Sequence, residues 1–101
     1  SSSSAYEAAK GGIVALTRKL SQELGEFNIT VNAIAPKMTL SERIAPRWEK
    51  RSDEEKAKLL ASVPLGRFPT ATEQANVVCF LASDHASYVT GQTIDVNGGQ
   101  R

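Results

Sequence analysis

Two short β-branched runs, Ile29–Ile34 and Thr93–Val96, stand far apart in a chain of 101 residues, with a long helical pattern between them. Strands so distant cannot pair through a tight hairpin, and a connection that carries helices sets them parallel. The first run ends at Pro36 and the second is followed by the turn sequence Asn97-Gly98-Gly99. A parallel pair needs apolar cover on both faces and further strands beside it, so an α/β layer arrangement with a right-handed crossover is expected, with a sheet that two strands leave incomplete.

The helices are read from periodicity and punctuation. Ala5, Ala9, Ile13, Leu16, Leu20 and Leu24 recur at three- and four-residue steps, predicting a helix over 5–24. Ser4 with Glu7 has the spacing of a capping box, and Gly25 supplies a stop. A charged helical stretch is expected from about Leu40 to Leu60, interrupted by Pro46 and closed before Pro64. Its mixed charges, Arg43, Arg47, Lys50 and Arg51 beside Glu42, Glu49, Asp53, Glu54 and Glu55, read as a solvated face. A further helix should start near Thr70, with Glu73 completing a second capping box, carry an apolar stripe of Ala75, Val78, Cys79 and Ala82, and end around Asp84.

Composition narrows the function classes. Hydrophobic residues at 41% and charged residues at 23% are ordinary for a globular domain, which argues against wholesale disorder. A formal net charge of +1 offers no field for gripping a phosphate backbone, so no nucleic-acid partner is expected. The longest apolar run, Val77–Ala82, is far short of the roughly 20 residues that span a bilayer, so no membrane partner is expected either. Cys79, the one cysteine, lies in that run and reads as a buried structural thiol in a reducing, cytoplasmic setting. His85 stands without a cluster of metal spacing, and no metal is expected. The opening serines carry neither a starting methionine nor a basic-then-apolar leader, and the chain reads as cut from something longer.

Chemistry is concentrated in one pair. Tyr6 and Lys10, four residues apart on the first helix, emerge from the same face one turn apart. A free phenol has a pKa near 10 and carries protons poorly at neutral pH, whereas a neighbouring cation favours its ionised form. Spacing alone is weak support, and context adds to it: Tyr6-Glu7-Ala8-Ala9-Lys10-Gly11-Gly12, then Val31-Asn32-Ala33-Ile34-Ala35-Pro36, then Pro64-Leu65-Gly66-Arg67-Phe68, then Thr90-Gly91-Gln92-Thr93-Ile94-Asp95-Val96-Asn97-Gly98-Gly99.

In order and spacing these segments resemble the short-chain dehydrogenase/reductase family across nearly the whole chain. The resemblance implies the C-terminal part of a Rossmann-type doubly wound parallel sheet, incomplete in this chain. Residues 1–101 would be the C-terminal half of one domain, with a variable substrate-binding segment at about 38–64. It implies an oxidoreductase that interconverts an alcohol and a ketone with NAD or NADP. Tyr6 would be the acid/base and Lys10 would hold the nicotinamide ribose while favouring the ionised phenol.

Cofactor contacts are implied for Tyr6, Lys10, Pro36, Lys37, Thr39 and Ser41. Family members commonly have glycine where this chain has Lys37, and lysine resists positive φ. Met38 and Trp48 would contact the substrate, with packing the competing role for Trp48. The family's catalytic serine and glycine-rich phosphate turn lie outside these residues, so the fragment alone is expected to be inactive. Pairing of the first helix and last strand across subunits would give a homotetramer or homodimer. The alternative is a non-catalytic cofactor-binding or scaffold member of the same fold.

Overall fold

The computed structural model describes residues 3–100. The helices and strands run in the order α1 (Ser4–Leu24), β1 (Ala33–Pro36), α2 (Ala45–Glu49), α3 (Asp53–Leu60), α4 (Ala71–Leu81) and β2 (Thr93–Val96), with β1 and β2 forming a parallel two-stranded sheet. This is the expected α/β class. The chain divides into two compact units, one of Ser1–Ile34 with Phe80–Ile94 and one of Ala35–Cys79 with Asp95–Arg101.

In the first unit α1 begins one residue earlier than its spacing suggested. Ser3 takes the extended backbone of an N-cap and its hydroxyl accepts from the Tyr6 amide at 3.1 Å, so the capping box proposed for Ser4 and Glu7 does not form. Four adjacent serines offer the same hydroxyl, and only the backbone geometry selects one. The helix also passes Gly25, which keeps right-handed helical angles, and tightens into a 3-10 turn that stops at Asn28, in the left-handed region at φ 58°. Asn28 takes the place expected of Gly25, because asparagine tolerates this conformation better than other side chains.

The covered face of α1 runs through Val14, Thr17, Leu20, Ser21 and Leu24, and Thr17 is its one buried residue. Thr17 satisfies its hydroxyl by donating to the Ile13 carbonyl at 2.7 Å. Ala5, Ala9, Ile13 and Leu16, from the predicted stripe, are exposed. The predicted stripe is covered only toward its end, at Leu20 and Leu24, and periodicity alone missed Val14, Thr17 and Ser21 on the covered face.

The regular ladder starts later than the β-branched run that announced it. Val31 donates its amide to the Thr90 hydroxyl at 3.0 Å, while Asn32 donates to the Val89 carbonyl at 3.0 Å and accepts from the Gln92 amide at 3.1 Å. At Ala33 the amide meets the Gln92 carbonyl at 2.9 Å and the regular pairing of backbone with backbone begins. The Val31 carbonyl accepts from the Gly91 amide at 2.7 Å, but side chains take up the Val31 amide and flank Asn32, so the regular ladder is delayed and β1 occupies Ala33–Pro36 rather than Ile29–Ile34.

In the second unit Trp48, Val63 and Phe68 are buried together, with Leu40 and Leu60 packed against them. Trp48 meets Phe68 edge to face, with centroids 5.1 Å apart and planes at 84°. Pro46 does not interrupt a long helix; it lies in the first turn of α2, where its missing N–H costs nothing. Ser52 caps α3 by accepting from the Glu55 amide at 3.1 Å, and Asp53, Glu54 and Glu55 complement the positive end of the helix. The expected box at the start of α4 forms in full: Thr70 donates its amide to Glu73 at 3.0 Å, and the Glu73 amide donates to the Thr70 hydroxyl at 3.2 Å.

Along α4 the inward face is Gln74, Val77 and Leu81, while Ala75, Val78, Cys79 and Ala82 are exposed. The expected stripe was thus set one residue off, and the Cys79 thiol is exposed rather than buried. With apolar residues on nearly every side of its second half, this helix has no single polar face from which to read orientation. Among the described residues no helix is long and apolar enough to cross a membrane.

Candidate active site

The residues singled out for chemistry fall into two groups, one in each unit. Tyr6 and Lys10 stand on the first turns of α1, where the Ser3 cap holds the Tyr6 amide. One helical turn brings the Lys10 ammonium over the phenol ring, with Nζ 5.3 Å from its centroid. Tyr6 is 52% exposed and Lys10 is exposed too, so packing encloses neither side chain. The pair presents a hydroxyl that can give or take a proton beside a cation that can donate to ribose hydroxyls.

The second group is the loop that leaves β1. Pro36 ends the strand, and Lys37 follows with an ordinary backbone, since Asn28 is the only non-glycine with positive φ among the described residues. The loop accommodates lysine without strain. Lys37 lines an open, polar cavity of about 410 Å³ together with Asp95, Asn97, Gly99 and Gln100. Thr39 turns back on the chain, donating its hydroxyl to the Lys37 carbonyl at 2.9 Å while its own carbonyl accepts from the Ser41 amide at 2.9 Å. Leu40 donates its amide to the Pro69 carbonyl at 2.8 Å, which ties the loop to the approach of α4. The Ser41 hydroxyl accepts from the Ile44 amide at 3.3 Å and so serves the start of α2.

Met38 is exposed beside Lys37, whereas Trp48 lies in the apolar core of its unit, its ring also approached by Lys56 at 5.8 Å. The Pro64–Phe68 segment and the Asn97-Gly98-Gly99 turn meet within this unit: the Leu65 amide donates to the Gly98 carbonyl at 3.1 Å. A Cβ built on Gly99, at φ 89°, would stand 3.1 Å from Pro64 Cγ. Close backbone approach is the reason for glycine there. Among the described residues no group of His, Cys, Asp and Glu is placed to hold a metal ion.

Two features escaped the sequence reading. Arg67 clamps Glu73 through both carboxylate oxygens at 2.7 Å each, and this pair with the Thr70 amide holds the Glu73 carboxyl down at about 2. The other is Gln74, a polar residue on the inward face of α4, whose position three and seven residues before Val77 and Leu81 is the signal that could have found it.

The element order and the parallel pair form an α/β arrangement consistent with part of a Rossmann-type sheet. Comparison with known sequences agrees: the whole chain, residues 1–101, matches the family described as enoyl-(acyl carrier protein) reductase. The chain is 48% identical over 94 residues to the 3-oxoacyl-[acyl-carrier-protein] reductase FabG of Staphylococcus aureus strain Mu50. It is 45% identical to nodulation protein G of Rhizobium meliloti strain 1021 and 44% identical to the FabG reductase of Escherichia coli strain K12, over 94 residues each. Each match covers 93% of this chain and 37% of the relative, so the chain spans little more than a third of their length. The chain belongs to the short-chain dehydrogenase/reductase family.

Proposed function

We propose that the intact protein carrying this chain is an oxidoreductase that interconverts an alcohol and a ketone with NAD or NADP, using Tyr6 as its acid/base. The observation that carries the reading is the Tyr6–Lys10 pair, a reachable phenol with an ammonium 5.3 Å from its ring centre. Both side chains suit a nicotinamide nucleotide: Lys10 offers N–H donors to ribose hydroxyls, and the loop of Pro36, Lys37, Thr39 and Ser41 offers backbone and hydroxyl groups to the amide and phosphate portions. When bound, the nicotinamide supplies the hydride acceptor or donor.

Tyr6 manages the proton. In oxidation the phenolate oxygen takes the alcohol's hydroxyl proton as the carbon gives up hydride, leaving a ketone; in reduction the phenol returns a proton to the ketone oxygen as the carbon takes up hydride. Lys10 orients the ribose through its N–H donors. Met38, exposed next to this loop, is the better placed of the two substrate candidates, because packing occupies Trp48. The names of the similar reductases put a 3-oxoacyl group first in the panel of ketones to test.

The test is Tyr6→Phe in the intact protein, which removes the proton carrier and keeps the ring under Lys10. A fall in kcat of about 10²–10⁴-fold with cofactor binding preserved is expected. An unchanged kcat across pH would refute the assignment. Wild-type protein that binds NADH or NADPH and turns over no member of an alcohol and ketone panel would favour the scaffold alternative.

A further inference from the structure

Gln74 is 9% exposed and stands on the inward face of α4, where its neighbours along the helix are Val77 and Leu81. Its Nε2 donates to the Val96 carbonyl at 3.2 Å and lies 3.5 Å from the Thr39 hydroxyl, while Oε1 is buried with no partner among the described residues. The orientation of the amide is not interchangeable. A carbonyl can only accept, so the nitrogen must face Val96. Thr39 spends its own hydroxyl proton on the Lys37 carbonyl at 2.9 Å and so presents lone pairs to that same nitrogen.

An orphaned buried acceptor is unfavourable, and an apolar side chain of the same length would fill the site without it. The reason for an amide here must lie on its donor side. That side joins three segments remote in sequence: the helix at Gln74, the end of β2 at Val96 and the loop after β1 at Thr39.

We propose that Gln74 is a positioning residue for the nicotinamide nucleotide, acting through Thr39. It holds the loop of Pro36 to Ser41 in the shape that presents its polar groups to the ligand. The proposal rests on the cofactor reading above and goes beyond it by assigning a role to a residue outside the loop.

The intact protein is titrated with NADH and NADPH by nucleotide fluorescence, and its kinetics are measured at saturating second substrate. Gln74→Met keeps length and volume while removing the donor. Its expected effect is a rise in cofactor Kd and KM of about fivefold, the equivalent of one net hydrogen bond of about 1 kcal/mol, with kcat at saturation preserved. Thr39→Val leaves α4 untouched and should give a similar rise. In the Thr39→Val background, Gln74→Met should add little, because the two act in series.

An unchanged cofactor Kd in either single variant overturns the proposal, as does full additivity of the pair. A lower unfolding midpoint with the same Kd makes Gln74 a purely structural residue and overturns it equally. Wild-type protein that binds neither nucleotide refutes the cofactor reading itself and this inference with it; binding by wild type with indifferent variants refutes the inference alone.

Discussion

Gly91→Ala offers a sharp test of how α1 meets the turn before β2. Gly91 has φ 74°, and a Cβ placed there would stand 2.7 Å from Ser21 Oγ and 3.4 Å from Ser21 Cβ. The Gly91 amide donates to the Val31 carbonyl at 2.7 Å, so the turn cannot relax without releasing that bond. Ser21 donates its hydroxyl to the Arg18 carbonyl at 2.6 Å and must give this up if it rotates away.

The left-handed conformation costs an alanine about 1–2 kcal/mol, and losing the serine bond adds about 1 kcal/mol, for a total of roughly 2–3 kcal/mol. In a Ser21→Ala background Cβ meets only the 3.4 Å neighbour, an ordinary contact, and the cost of Gly91→Ala should fall to the conformational part. Urea unfolding of the four proteins in a double-mutant cycle measures both portions. A cost below about 0.5 kcal/mol for Gly91→Ala, or an identical cost in both backgrounds, would refute the reasoning.

Other expectations follow from single contacts. The folded Glu73 carboxyl lies at about 2 against an ordinary 4.5, so its contribution to stability is present above that ordinary value and is lost as pH falls through about 2. Glu73→Gln should flatten the acid limb of a urea midpoint-versus-pH curve within that window, and an unaltered limb would count against the clamp by Arg67 and Thr70. Asn32→Ala removes two bonds that stand in for the ladder, and a loss of about 2 kcal/mol in urea unfolding is expected. Asn32→Asp keeps the acceptor for the Gln92 amide and loses the donor to Val89, so it should fall between wild type and the alanine variant in the same assay.

Much of this architecture was legible before any coordinates. The three- and four-residue recurrence in α1, the Thr70–Glu73 box and the run Thr93–Val96 each depend on neighbours close in the chain, and each forms near its expected place. The Tyr6–Lys10 pair was legible for the same reason, since one helical turn sets its geometry. Features that missed did so where several residues could satisfy the same local need. Ser3 replaced Ser4 as the cap and Asn28 replaced Gly25 at the stop, and Pro46 opened a helix it was expected to break.

Local spacing therefore determined the element types, their order and the juxtaposition of Tyr6 with Lys10, because backbone hydrogen bonding and helix periodicity act over a few residues. Tertiary packing decided the rest. Which face of α4 turned inward, and thus the exposure of Cys79 and the burial of Gln74, depended on segments far along the chain. The same holds for the place of Trp48 in the core and for the tie from Gln74 to Thr39 and Val96, 35 and 22 residues away. An apolar helix can bury either of two faces at similar free energy, and only the surfaces that meet it break the tie.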